Sequence, residues 1–543
     1  MKELRVGSIL PQGRPARASA AYSLTMKPAF RLRVALSALL TLALVLPAHP
    51  ESAAARALVP DIATSIRAHM DYLASDALAG RGSGTPQEHM AADYVASELR
   101  RYGVAPALPQ NAKDRRSGGP GDDGGYLQQI ALEYRSLAAP PVLSFDHPSK
   151  PKPGFHPDEA KSASSGTPGL LGTPDETGVQ TTRWTNGHQI AVTWLGDASI
   201  FGPLQKLDPH DPKAEIKAGA VVLLSSTDDA TAWQQAYDIS QRGAALVLVP
   251  ESPSLASAWS GARRLPKLPP RIKALPKQAG IQEMSMAVVR AAAFKTLSAL
   301  ADGTTIRLEA KLNPVQPGET WNTVGLVAGS DPSLRDQAVL FSAHLDHLGT
   351  RMTSHGKVIY HGADDDASGV AAVLELARAI ASGPRPRRTV LFAFFGSEER
   401  GGLGSTYFRE FPPVPLSHIV AALEFEMLGR PDDAIPRHKL WLSGYERSNL
   451  GSELAAQGAP LVADPHAGEH FFERSDNYPL ARKGVVAHTV SSYGLHRDYH
   501  RPSDNLAHID FSHLTQAIEA MIAPAEWLAN SDFKPHWLAG EKP

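Results

Sequence analysis

From about Trp321 onward, short apolar runs alternate with amphipathic helical segments, and acidic residues and histidines gather where the apolar runs stop. That alternation leaves few folds available, because strands linked by helices pack as a three-layer, mostly parallel, doubly wound α/β sheet. The expected strands are NTVGLVAG, AVLFSAHLD, TVLFAFFGS, IVAALEFEM, KLWLSG and VVAHTVSS. The main helix between them is ASGVAAVLELARAIAS, in which Val370, Val373, Leu374, Ala377 and Ile380 recur on one face. Ligands of such sheets bind outside the carboxyl ends of the strands, where residues distant in sequence converge.

Five clusters occupy that position. HLDHLG puts His344 and Asp346 two residues apart at the end of a strand, so both project to one side. A metal-bound histidine hands its second ring proton to a carboxylate or carbonyl, and Asp346 can take it. GADDDASG, at 362–369, sets three carboxylates in a row at the entry to the main helix. Capping a helix needs one acid; three adjacent acids repel one another, a conflict that a bound dication removes. GSEERGGLGS places Glu398 and Glu399 directly after the strand TVLFAFF, where one carboxylate can bind metal while its neighbour serves as general base. EFEMLG holds Glu424 and Glu426 in an otherwise apolar strand, which is costly unless each is paired or bound to metal. GLHRDYHRPSDN brings His496, Asp498, Tyr499, His500 and Asp504 to a turn after VVAHTVSS. Taken singly, each pattern also has an ordinary reading as a cap, a solvated loop or a structural turn. The chain has no cysteine, so any metal rests on His, Asp and Glu, a donor set that suits Zn²⁺, with Mn²⁺ and Co²⁺ as substitutes.

The rest of the chain sets the context. At 543 residues it exceeds what one hydrophobic core usually organises, so at least two folded units are expected. Its 54 basic against 56 acidic side chains leave a net charge of −2 and no global field to recruit nucleic acid or an anionic membrane. Lys27, Arg31 and Arg33 precede the apolar run Val34 to Leu46 and then SAAARA, the order of a secretory signal spanning about residues 26–55. The mature protein is therefore expected to be secreted or periplasmic and free of the membrane. Residues 60–108 read as helices broken by the Gly-rich LAGRGSGT. Farther on, AVVLLSS and ALVLVPE flank a helix-like ATAWQQAYDISQRGA, which suggests a small α/β unit without a catalytic cluster.

The ordered series AHLDHLG, GADDDASG, GSEERGGLGS, EFEMLG and DYHRPSDN resembles the co-catalytic zinc aminopeptidases of metallopeptidase family 28, over residues 60–108 and 315–530. The segment ISQRGAALVLVPE looks like the protease-associated domain often inserted into such enzymes. The resemblance implies a signal and upstream segment at 1–57, a peptidase domain split into 58–131 and 313–530 by an inserted domain at 132–312, and a tail at 531–543. It further implies two zinc ions, with Asp365 bridging both, His344 and Glu426 holding one, and Glu399 and His500 holding the other. Choosing Asp365 over Asp364 or Asp366 follows from register alone. Glu398 is implied as the general base and Tyr499 as a stabiliser of the oxyanion. The implied substrate is the amino terminus of a peptide or protein, whose free amine the metal-bound carboxylates, particularly Glu426, would receive. Two positions depart from the family: Glu426 stands where Asp is common, and Asn477 where His is often found.

Other readings use the same residues. A carboxypeptidase or dipeptidase needs a cationic clamp for the terminal carboxylate, and Arg430, Arg447, Arg474, Arg497 and Arg501 lie near the motifs. Glutaminyl cyclase chemistry occurs on the same fold. A non-catalytic binding protein is the remaining alternative, although all five ligand positions keep coordinating side chains. The sequence sets no oligomeric state.

Overall fold

The computed structural model describes residues 61–108, 124–148, 179–208, 211, 214–225, 232–275, 284–492 and 495–543; the expected secretory signal lies outside them. Among the described residues the larger sheet has ten strands. Its centre is four parallel strands, in the order Ala487–Ser491, Ile419–Phe425, Ala338–His344 and Thr389–Phe395. Every residue of all four is buried. A sheet covered on both faces needs such unbroken apolar runs, because neither face meets water.

The edges are mixed. Gln316–Val327 runs antiparallel both to Thr389–Phe395 and to Leu127–Tyr134. On the other side Leu440–Leu442 runs antiparallel to Ala487–Ser491 and parallel to Leu461–Ala463. The doubly wound α/β architecture is thus parallel where the acidic clusters lie and mixed outside. Leu127–Tyr134 and the three-residue Leu461–Ala463 were not among the expected strands; the first alternates buried and half-buried residues and the second is too short to show a period.

On one face the helix Gly369–Ser382 lays Val370, Val373, Leu374, Ala377 and Ile380 into a core with Phe341, Phe392 and Phe425. The helices Ile62–Leu73 and Phe511–Asn530 pack against it. Chain entry into the second N-terminal helix, Pro86–Arg101, is fixed by Pro86 in the first turn and by the Thr85 hydroxyl, which accepts from the Glu88 amide. The opposite face is covered by Leu403–Glu410 and Asn477–Ala481, with Leu340, Leu391, Phe395, Phe408 and Leu480 in its core.

A second, eight-stranded sheet is built from strands lying between Val142 and Glu309. In it Val221–Leu224 and Leu246–Pro250 run parallel, with the helix Ala232–Gln241 between them in sequence. The boundary expected at 131/132 falls inside the strand Leu127–Tyr134, because the buried positions Ile130 and Leu132 continue one alternation. Arg271–Ile272, from the segment that forms the second sheet, also pairs with Leu132 and Glu133 of the larger one. Among the described residues no helix is long and apolar enough to cross a membrane.

Candidate active site

A fully buried arginine from the Gly-rich N-terminal loop organises the carboxyl edge of the sheet. Arg81 Nε donates to the carbonyl of Leu345, Nη1 to those of Leu73 and His361, and Nη2 to that of Gly362, at 2.5–2.9 Å. One side chain thereby ties the loop after strand Ala338–His344 to the loop that begins GADDDASG. Four carbonyl acceptors are how a buried guanidinium is satisfied without a carboxylate partner. Nearby, Glu88 accepts from the amides of Gly84 and Ser397 and from the Thr320 hydroxyl at 2.7–2.8 Å, which anchors the turn that leads into Glu398.

Asp346 meets His344 through its main chain and uses its side chain for a second task. The Nδ1 atom of His344 lies 3.1 Å from the main-chain carbonyl of Asp346 and 3.9 Å from its carboxylate, so the carbonyl takes the ring contact. The carboxylate instead accepts from the amides of Glu398 at 2.8 Å and Glu399 at 3.3 Å, and from the Ser83 hydroxyl. The reason lies in the fold: strands Ala338–His344 and Thr389–Phe395 are parallel neighbours, so their exits lie side by side and the unpaired amides of one meet the acid of the other.

The three adjacent aspartates divide in the same way. Asp364 accepts from the Gly429 amide at 2.6 Å, and its other oxygen lies 3.2 Å from His496 Nε2. Asp366 accepts from the amides of Gly369, Met427 and His344 at 3.0–3.2 Å. Asp504, from the fifth cluster, receives the amides of Asp364 and Asp365. Both outer carboxylates are therefore engaged by the main chain, and the middle one, Asp365, faces the histidines. Its Oδ1 is 3.2 Å from His344 Nε2, and its Oδ2 is 3.2 Å from His500 Nε2 and 3.6 Å from His347 Nδ1. Burial on its own would raise the Asp365 carboxyl, but the imidazoles of His347, His344 and His500 hold it well below the ordinary carboxylate range.

Two groups of donors meet at Asp365: His344, Asp365 and Glu426, and then His347, Asp365 and Glu399. His500 joins the second, with Nε2 3.3 Å from Glu399 Oε2. Several of these atoms are buried and have no hydrogen-bond partner: His344 Nε2, His347 Nδ1, Asp365 Oδ2 and Glu399 Oε1. Unsatisfied buried donors and acceptors are rare, and a cluster facing one another fits cations coordinated by nitrogen and oxygen. His347 lies within HLDHLG, where nothing in the sequence marks a role for it. Strand alternation would turn a residue three after His344 to the opposite side, yet the strand has ended at His344 and the chain bends.

A cleft opens over these groups. Asp365, Glu398, Glu426, Tyr499 and His500 line one part of it, and Met427, Trp441, Phe471 and Leu495 supply an apolar part. Glu398 belongs to neither donor group; burial, with Asp476, Glu399 and Glu426 nearby, pushes its carboxyl well above the usual range although His344 opposes this. Tyr499 stacks on His500 with ring centroids 3.9 Å apart. Burial, then the carboxylates of Asp365, Glu399, Glu426 and Glu398, raises its phenol well above the ordinary value and keeps it a donor. Glu424 accepts from the Asn477 amide at 2.8 Å and from Thr489 at 3.2 Å, and Asn477 Nδ2 donates to the carbonyl of Phe472. Of the five candidate arginines, Arg430 is held by Asp498 at 2.6 Å, Arg447 by Glu473 at 3.3 Å, and Arg497 and Arg501 are exposed; Arg474 lines the cleft.

Imidazoles and carboxylates grouped around one shared aspartate, at the carboxyl edge of a parallel α/β sheet, form a donor set that suits divalent cations. Residues 322–525 match the model of peptidase family M28. The chain is 27% identical over 224 residues to leupeptin-inactivating enzyme 1 of Streptomyces exfoliatus, covering 38% of this chain and 48% of that protein. It is 33% identical over 156 residues to an aminopeptidase of Pseudomonas aeruginosa, covering 28% of this chain and 24% of that protein. The chain thus spans less than half the length of these two relatives. Among solved structures, the aminopeptidase from Aneurinibacillus sp. strain AM-1 aligns at 15% identity with a TM-score of 0.45, covering 87% of this chain and 95% of that one.

Proposed function

We propose that the protein is an exported zinc aminopeptidase that removes residues from peptide amino termini, holding two zinc ions and using Glu398 as general base. The observation that carries this reading is the meeting of two donor groups at Asp365, with Glu398 beside them on the wall of the same cleft. His344, Asp365 and Glu426 would hold one ion; Asp365, Glu399 and His500 would hold the other. Zinc bound there would acidify the attacking water and polarise the scissile carbonyl.

The protein's own groups perform the remaining tasks. Glu398 removes a proton from water at its carboxylate and passes it to the leaving amine, a role that its raised carboxyl suits. Asp346, by fixing the amides of Glu398 and Glu399, sets where those two carboxylates stand. Tyr499, still protonated, donates to the oxygen that gains charge as the carbonyl is attacked. Glu426 faces the cleft and can receive a substrate's free amine, while Trp441, Phe471 and Leu495 suit an apolar side chain. The segment 132–312 is read as a protease-associated domain, a reading its strand–helix–strand order supports.

The test uses aminoacyl-arylamides and peptides blocked at either end, with and without a chelator. Carboxyl-blocked peptides should be cleaved and amino-blocked ones left intact, with chelator abolishing turnover and zinc restoring it. The opposite selectivity would favour a carboxypeptidase, in which Arg474 is the clamp within the cleft. No hydrolysis of any of them by metal-loaded protein would favour a non-catalytic binding role.

A further inference from the structure

We infer that His347 is a fourth protein ligand of the second metal, so that the two ions are held unequally. The inference rests on the two-zinc reading above and adds a residue to it. The His347 ring is fully buried, and its Nδ1 lies 2.8 Å from Glu399 Oε1 and 3.6 Å from Asp365 Oδ2. The contact with Glu399 is a close pair, but none of Nδ1, Glu399 Oε1 and Asp365 Oδ2 makes a well-directed hydrogen bond. A nitrogen so close to two carboxylate oxygens, and directed squarely at neither, is aimed between them. Two ligands of one tetrahedral zinc, each about 2.0–2.1 Å from it, lie roughly 3.3 Å apart. The separations of 2.8 and 3.6 Å made by His347, and of 3.2 and 3.3 Å made by His500 to the same two carboxylates, bracket that distance.

The ring is also held in place from behind. The His347 amide donates to the Arg81 carbonyl at 3.1 Å, and the Arg81 guanidinium grips the Gly362 carbonyl. A side chain at Gly362 would strike the ring, since a Cβ there would come within 2.5 Å of His347 Cγ. Gly362, at φ +61°, thus provides both the left-handed turn before the aspartates and the space for His347.

The consequence is an asymmetric pair. Asp365, Glu399, His347 and His500 give the second position four protein donors, as structural zinc sites have, while His344, Asp365 and Glu426 leave the first with three and room for a further ligand. The second ion should bind more tightly and exchange more slowly.

The experiment is a zinc titration of the metal-free full chain against a competing chelator, comparing wild type with His347→Leu, which keeps the side-chain volume and removes the nitrogen. Wild type should bind in two steps, and the substitution should weaken the tighter step at least tenfold while leaving the other within about threefold. Two steps of unchanged affinity in a folded variant would overturn the role of His347, whereas a wild type that binds no zinc would overturn the proposed function itself. A second measurement needs no variant. Wild type loaded with one equivalent of Co²⁺ should show two metal-shifted imidazole N–H signals, from His347 and His500, the former slow to exchange; a single signal would refute the four-donor set.

Discussion

Glu398→Gln is expected to keep its fold and bound metal while losing turnover by about 10²–10⁴-fold, the range that a positioned general base contributes. The amide is nearly isosteric with the carboxylate, and Glu398 belongs to neither donor group. Its main-chain amide would still reach Asp346, so Glu399 should stay where it is. What disappears is the carboxylate that, among the described residues lining the cleft, stands outside both donor groups. Metal content and hydrolysis of an aminoacyl-arylamide, measured on the same preparation, check this. Turnover within a few fold of wild type would assign the base elsewhere, and loss of metal would make Glu398 a ligand.

Asp365→Asn is expected to be the most damaging single change for metal binding. Asp365 is common to both donor groups, and its two oxygens face His344 on one side and His347 and His500 on the other. An amide offers one weaker oxygen donor and an N–H₂ that repels a cation, so both positions lose a ligand together. Changes one shell farther out already cost about 10–100-fold in affinity, and the loss here should exceed 100-fold for both ions. Chelator-competition titrations of the Asn variants at 364, 365 and 366 separate the three aspartates. Asp364→Asn and Asp366→Asn should retain metal, because those carboxylates serve main-chain amides of Gly429, Gly369, Met427 and His344. Retention by Asp365→Asn with loss in either neighbour would shift the assignment by one residue.

The centre of the fold was legible because its signals are local. Four strands that are buried throughout must be unbroken apolar runs, and a helix with one buried face shows a period near 3.6, so both can be read from neighbours in sequence. The edges were less legible: Leu127–Tyr134 is half-exposed along its length, and Arg271–Ile272 has two residues. Candidate site residues were legible as types at strand ends, since carboxylates directly after buried strands are conspicuous.

How those residues connect was not legible. That Asp346 offers His344 its carbonyl and gives its carboxylate to the Glu398 turn depends on which strand lies beside which. Arg81 and Glu88 sit in and just after a segment that reads only as a Gly-rich break, some 260 and 310 positions from the Leu345 carbonyl and Ser397 amide that they bind. Their function arises from chain closure, which no local pattern encodes. His347 was visible in its motif but lacked a partner until Glu399 was placed 2.8 Å away.

The direct test of the account is elemental analysis of folded wild-type protein after exhaustive dialysis against metal-free buffer and reloading with zinc. About two tightly held zinc ions per chain are expected, as paired donor sites sharing one carboxylate require. Well-folded protein that retains no zinc would contradict it.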